Sequence, residues 1–196
     1  MRVLPWINKS VIASVLFFVS AQASAQWDLD AAQSELSFIT VKAEHVAEVH
    51  SFTRLEGELS REGAVQLSID LTSVETGISV RNERMQSMLF ETGMYPRARV
   101  SANIDVDPIT ELSLGESVIL DVEFILSLHG KELVFSTPLR ATRVIDGVRV
   151  STTKPIIVNA DAFDLVAGVE SLREIAGLPS ISRSVPVAFS LSFVNQ

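Results

Sequence analysis

Cysteine is absent from the 196 residues. Disulfides, thiolate metal sites, cysteine nucleophiles and a lipid-modified N-terminal cysteine are therefore excluded. Histidine is nearly as scarce, with three copies, and no HExxH pair or His/Cys cluster is formed from them. No G-x-S-x-G elbow, phosphate-cradling P-loop or dinucleotide fingerprint occurs. Basic tracts are missing too. Sixteen Lys and Arg are scattered among 24 Asp and Glu, for a formal net charge of −8. That balance argues against nucleic acid or an anionic membrane as the main partner. A spanning helix needs roughly 20 apolar residues, and the longest apolar run, Val11 to Val19 interrupted by Ser14, is about half that.

That run sits in a tripartite segment. Arg2 and Lys9 supply positive charge before it, and small residues ending in Ala23-Ser24-Ala25 follow it. The pattern is that of a secretory signal peptide cut before Gln26. The expected organisation is a leader over 1–25 and one exported domain over 26–196, without stable membrane insertion. The leader carries only those two charges, both positive, so its removal takes the net charge from −8 to −10.

The remainder reads at period two. Val118, Leu120, Val122, Phe124, Leu126 and Leu128 alternate with more polar residues, as do Val185, Val187, Phe189, Leu191 and Phe193. Leu67, Ile69 and Leu71, and Leu36, Phe38 and Thr40, make shorter faces. Successive strand side chains point to opposite sides, so one buried and one solvated face is predicted, the habit of antiparallel sheets. Eight strands are expected, near 34–43, 54–60, 64–73, 98–107, 117–128, 132–144, 147–158 and 185–194. Asp146-Gly147 between apolar strand formers is a hairpin signal. Helical spacing appears over 80–90 and 165–176, the latter stopped by Gly177 and Pro179. Many short strands at this spacing point to an all-β fold, a barrel or a sandwich, with one or two short helices.

Chemistry-bearing constellations are weak. His45 and His50 lie near Glu44 and Glu48, and their expected place is a polar barrel rim. His129 precedes Gly130 in an expected turn. Ser151-Thr152-Thr153-Lys154 has S-x-x-K spacing but follows a strand and lacks the partner motifs. Asp161 and Asp164 are expected to cap the second helix. No catalytic residue and no metal site is assigned, and the protein is not expected to be an enzyme. Apolar bulk is what stands out. Phe38, Leu71, Met85, Leu89, Phe90, Tyr95, Phe124, Leu126, Phe135, Phe163 and Phe189 are expected to line the interior. An eight-stranded barrel either fills with side chains or holds one small ligand.

Four motifs in order carry a family resemblance. Asp30-Ala31-Ala32-Gln33-Ser34-Glu35-Leu36-Ser37-Phe38 is similar to the D-x-x-H-S-x-(apolar)-x-F opening of the bacterial YceI-like family. Ser73-Val74-Glu75-Thr76-Gly77 with Arg81-Asn82-Glu83-Arg84-Met85 resembles its S-x-x-T-G-x(3)-R-D-x-H-L. Phe90 with Tyr95-Pro96, and Leu126-Ser127-Leu128-His129-Gly130, match its next two. The resemblance implies an all-β, eight-stranded antiparallel, lipocalin-like barrel in the periplasm, here of a Gram-negative bacterium. It also implies a polyisoprenoid ligand such as a prenyl quinone or prenyl phosphate, bound for carriage or storage. Other than that lipid, no cofactor is expected; a homodimer is an open expectation. Gln33, Asn82 and Arg84 depart from the family pattern, and Arg81, Asn82 and Arg84 become head-group candidates, with net positive charge suited to an anionic head. The competing reading is a filled barrel acting as a stress or interaction protein through its acidic surface.

Overall fold

The computed structural model describes residues 25–195, so the expected leader, apart from its last residue, lies outside the described residues. In chain order the strands are β1 (Ala25–Leu29), β2 (Glu35–Lys42), β3 (Val46–Phe52), β4 (Leu55–Ser60), β5 (Ala64–Asp70), β6 (Val74–Glu75), β7 (Arg97–Asn103), β8 (Ser117–Leu128), β9 (Lys131–Val144), β10 (Gly147–Thr152), β11 (Ile156–Asn159) and β12 (Ser184–Asn195). They pair antiparallel in the order β1-β4-β5-β7-β8-β9-β10-β12, and β12 pairs back onto β1. The result is a closed barrel of eight walls rather than a sandwich. Three walls are strands broken in two. β1 and β2 both pair with β12, as do β10 and β11 on its other side, while β3 and β4 pair with β2 and β1. The break between β1 and β2 is a short 3-10 turn, Ala31–Gln33, capped by Asp30. Its carboxylate accepts from Ala32 N at 3.0 Å and from Gln33 Nε2 at 2.8 Å. Gln33 is thus used outside the barrel, in local capping.

Three strands escape the sequence pattern, β1, β3 and the two-residue β6. β1 is short and begins at Ala25, the last residue of the expected leader. β3 turns Glu48 and His50 toward the barrel interior, so its alternation reads as polar on the side that is inward. The expected strand 98–107 ends at Asn103, and Asp107–Thr110 forms a helical turn, α2, with Pro108 in its first turn. The β9–β10 loop is Ile145-Asp146, because Gly147 already pairs with Val144. A Cβ on Gly147 would lie 1.8 Å from Phe193 O, so this glycine serves close strand approach. The His129-Gly130 turn joins β8 to β9 with Leu128 opposite Lys131. Both turn residues have positive φ, 51° and 75°, the geometry that matches strand twist in a two-residue hairpin. For histidine this backbone is uncommon. It is held by Nδ1 at 3.1 Å from Phe163 O and Nε2 at 3.0 Å from Glu91, with Tyr95 against the ring.

The barrel's two ends differ. At one end α2 packs against β8 and β9, and Trp27, Ile109 and Val148 are at most 1% exposed. The opposite end receives both long crossovers. α1 (Ser79–Arg84) continues into a π-helical turn, Met85–Leu89, and α3 (Val166–Ile175) lies across it. Asp161 and Asp164 do not cap α3. Asp164 takes a left-handed backbone and pairs with Lys131 at 2.8 Å, and residue 165, at the cap position, is leucine.

Contact between the two helical crossovers depends on Gly168. An added Cβ would stand 2.6 Å from Met88 O and 2.7 Å from Leu89 Cα, both backbone atoms. Gly168→Ala is expected to destabilise the protein by about 1–3 kcal/mol, the usual range for overpacking. Gly93→Ala, where nothing lies within 4 Å, should stay within about 0.5 kcal/mol. Urea unfolding of both variants checks this; equal midpoints would show that the crossovers are not tightly coupled there.

Candidate functional site: the barrel cavity

Inward side chains of β2, β5, β7, β8 and β12 do not fill the barrel. They surround a cavity of about 530 Å³, within the size range of small-molecule sites, roughly 300–1,000 Å³. Leu36, Leu67, Val122, Leu139, Val187 and Phe193 are typical of its walls. Small residues on β7, Ala98 and Ala102, stand where larger ones would close it. The cavity reaches the helical end, where Ile78, Val80 and Ile175 border it while each is 49% exposed.

Of the residues singled out from sequence, Phe38, Leu71, Met85, Leu89, Phe90, Phe124, Leu126 and Phe189 border this cavity. Tyr95, Phe135 and Phe163 do not. Tyr95 lies outside the barrel against His129, ring centroids 4.5 Å apart. Phe135 faces inward opposite Phe124 but is stacked between Phe124 and Phe163, at 5.5 and 6.4 Å. Phe163 is fully buried and seals that corner beneath the crossover. Parity and size find the inward face; they do not tell a wall from a plug.

The polar lining gathers at one pole. Thr40 and Lys42 on β2, Glu48 and His50 on β3, and Arg81 and Arg84 on α1 all border the cavity. Glu48 accepts from Lys42 at 2.7 Å and from Arg81 Nη1 at 2.8 Å. Its carboxyl is held below the usual carboxylate range, chiefly by the Lys42 hydrogen bond. Arg81 also donates through Nη2 to Thr76 O at 2.6 Å. Asn82, one of the head-group candidates, is outside the cavity and clips the start of α1. Its Oδ1 accepts from Thr76 N and Oγ1 at 3.0 and 2.6 Å. Arg84 lines the mouth with no ion pair among the described residues.

His50 departs from the expected rim position. It is 4% exposed, within 3.0 Å of Thr40 Oγ1 through Nε2, and set edge-on against Phe38. Burial, with the Arg81 charge adding to it, pushes its pKa below 6.5, so the ring is uncharged at neutral pH. His45, by contrast, is exposed near Glu44. Sequence reasoning put Thr40 on the face of Leu36 and Phe38 but missed Lys42, Glu48 and His50 as lining; their strict alternation with Val41, Ala47 and Val49 is the signal that was present. Among the described residues, no three His, Asp or Glu side chains come together as a metal site.

The YceI-like domain model matches residues 27–193. The chain belongs to the YceI-like family. Among solved structures, a polyisoprenoid binding domain from Saccharophagus degradans, implicated in plant cell wall breakdown, is 40% identical. It aligns over 88% of this chain and 100% of its own, with a TM-score of 0.87. Burkholderia cenocepacia BcnA shares the fold at 19% identity and a TM-score of 0.64, over 84% of this chain and 98% of its own. A Campylobacter jejuni YceI protein does so at 12% and 0.55, over 75% and 84%. No curated protein sequence matches the chain.

In this YceI-like barrel the buried imidazole links stability to pH. The unfolded chain takes up a proton near pH 6.5 that the native state resists, so native stability falls as pH drops through 6.5. The loss levels off once the lower native pKa is passed. His50→Phe should flatten the dependence of unfolding free energy between about pH 7 and 5, while the slope at more acid pH, set by carboxylates such as Glu48 and Asp70, remains. Urea titrations across that range measure it; identical slopes in both proteins would place the linkage elsewhere.

Proposed function

We propose that this protein binds a polyisoprenoid lipid, the prenyl chain lying in the barrel cavity, and acts as a carrier or store rather than an enzyme. The observation that carries the reading is the cavity itself, apolar along the barrel and polar at one pole by its mouth. A prenyl chain has no hydrogen-bonding groups, so its binding draws on apolar area removed from water, about 25 cal/mol per Å² before association costs. A related domain, 40% identical, is itself a polyisoprenoid binding domain. The signal-like segment at residues 1–25 supports export, and with it a periplasmic location where the lipid is held away from water. A filled barrel working through its acidic surface is disfavoured by the open interior.

Filling the interior tests this directly. Ala98→Trp and Ala102→Trp place an indole in the cavity from the β7 wall, and each should lower affinity for a prenyl quinone at least tenfold while circular dichroism still shows a folded barrel. Native mass spectrometry after incubation with the lipid reads occupancy. Undiminished loading of both folded variants would place any lipid outside the barrel.

A further inference from the structure

The cavity opens beside a cluster of exposed apolar side chains. Ile78 and Val80 on α1 and Ile175 on α3 border the opening while half exposed. The end of the β2–β3 hairpin stands at the same rim. Segment 180–182 ties it there, Ala43 N donating to Ser180 O at 3.0 Å and Ser182 N to Val41 O at 2.8 Å. Ile181 of that segment lines the cavity. Register then places the hairpin's side chains. Phe38, Thr40 and Lys42 lie opposite His50, Glu48 and Val46, and directly opposed side chains share a face. Val46 therefore continues the inward row past Lys42, and it is exposed. Ile39 and Val41, opposite Val49 and Ala47, face out, and Val49 is 69% exposed. The hairpin thus carries apolar side chains on both faces where it meets the opening.

Two observations say what covers this rim. The first is its continuity with an apolar cavity, whose walls run unbroken from Leu172 and Ile181 to Ile78 and Val80. A prenyl chain leaving through water exposes apolar area at about 25 cal/mol per Å². A chain leaving through an apolar rim seated on a bilayer does not. The second is charge. Lys42, Arg81, Arg84 and Arg173 are met at this end by Glu44, Glu48, Glu83 and Glu174. The rim has no excess of cations, and the whole chain carries a formal charge of −8. Polybasic patches are what hold proteins on anionic leaflets. Exposed apolar side chains around an opening, without such a patch, suit an uncharged lipid surface.

We propose that the rim formed by Val46, Val49, Ile78, Val80 and Ile175 docks reversibly and shallowly on a zwitterionic lipid bilayer, and that lipid passes between bilayer and barrel in the docked state. This rests on the lipid-binding reading and adds where the exchange takes place. Ile145 supplies the contrast. It is 80% exposed, more than any rim residue, but it lies in the β9–β10 loop at the closed end and borders no opening.

Phosphatidylcholine vesicles test the proposal in two ways. Trp27 is buried, so an added surface tryptophan reports on its own surroundings. In lipid-free protein, emission of Val49→Trp should move to shorter wavelength when vesicles are added, and that of Ile145→Trp should stay. For protein loaded with a prenyl quinone, transfer to vesicles carrying a quenchable fluorophore should quicken in proportion to vesicle concentration. Val46→Asp combined with Val49→Asp should slow transfer at least tenfold, while Ile145→Asp leaves it unchanged. Neither 46 nor 49 lines the cavity, so quinone loading by native mass spectrometry should be equal in all three proteins. Transfer rates independent of vesicle concentration, or equal shifts at 49 and 145, overturn the docking proposal. So does transfer that requires anionic lipid. A shift at 49 that grows with protein concentration and ignores vesicles assigns the rim to a second copy and overturns it too. In each case normal quinone loading leaves the lipid-binding reading standing, whereas failure of the unaltered protein to load overturns both.

Discussion

Closure of the barrel through β12 is the constraint on which the rest depends. Its first half pairs with β11 and β2, its second half with β10 and β1. One strand therefore joins the last wall to the first along its whole length. Without it, the two sides of an eight-walled sheet would present open edges, and the inward leucines, valines and phenylalanines would face water. With it, the alternate apolar side chains of β5, β7, β8 and β12 turn toward one enclosed axis, while Ile119 and Ile125 of β8 stay exposed on the outer face. A cavity of this size in a chain of this length exists because the walls are held at a circumference their side chains do not fill.

That emptiness is unusual energetically, since packed interiors have few voids larger than a water molecule. The structure sustains it by concentrating its tightest packing elsewhere. Trp27, Ile109 and Val148 are buried at the closed end, Phe163 is buried beneath the crossover beside α3, and Gly168 lets the two crossovers meet backbone to backbone. The axis between them is left for something apolar.

Polarity within the barrel is confined to one pole, on β2, β3 and α1, where Lys42, Arg81 and Arg84 meet the single carboxylate of Glu48. Glu48 neutralises one of the cations it bridges, and burial keeps His50 uncharged. A charged pole beside an apolar axis suits the proposed lipid, chain along the barrel and head at the mouth. The exposed Ile78, Val80 and Ile175 place the mouth where such a ligand would pass.

The sequence alone determined the all-β class. Period-two alternation in β8 and β12 assigns each side chain a face, because strand geometry leaves no other choice, and eight such runs with turn signals make a barrel or a sandwich. It also found most of the cavity's aromatic and aliphatic walls by parity. Several matters were decided only in three dimensions. Tyr95 and Phe163 sit in crossovers, which have no period, so nothing local says whether they line, plug or lie outside. Phe135 has the right parity yet is covered by a residue distant in sequence. His50 looked like a rim residue because its strand carries polar groups on the inward side, and only pairing with β2 shows that inward is where they go. Arg81, on α1, reads as a free cation until Glu48 is brought against it from β3. Periodicity is local and survives in one dimension; burial, charge pairing and an empty axis are properties of surfaces brought together by folding.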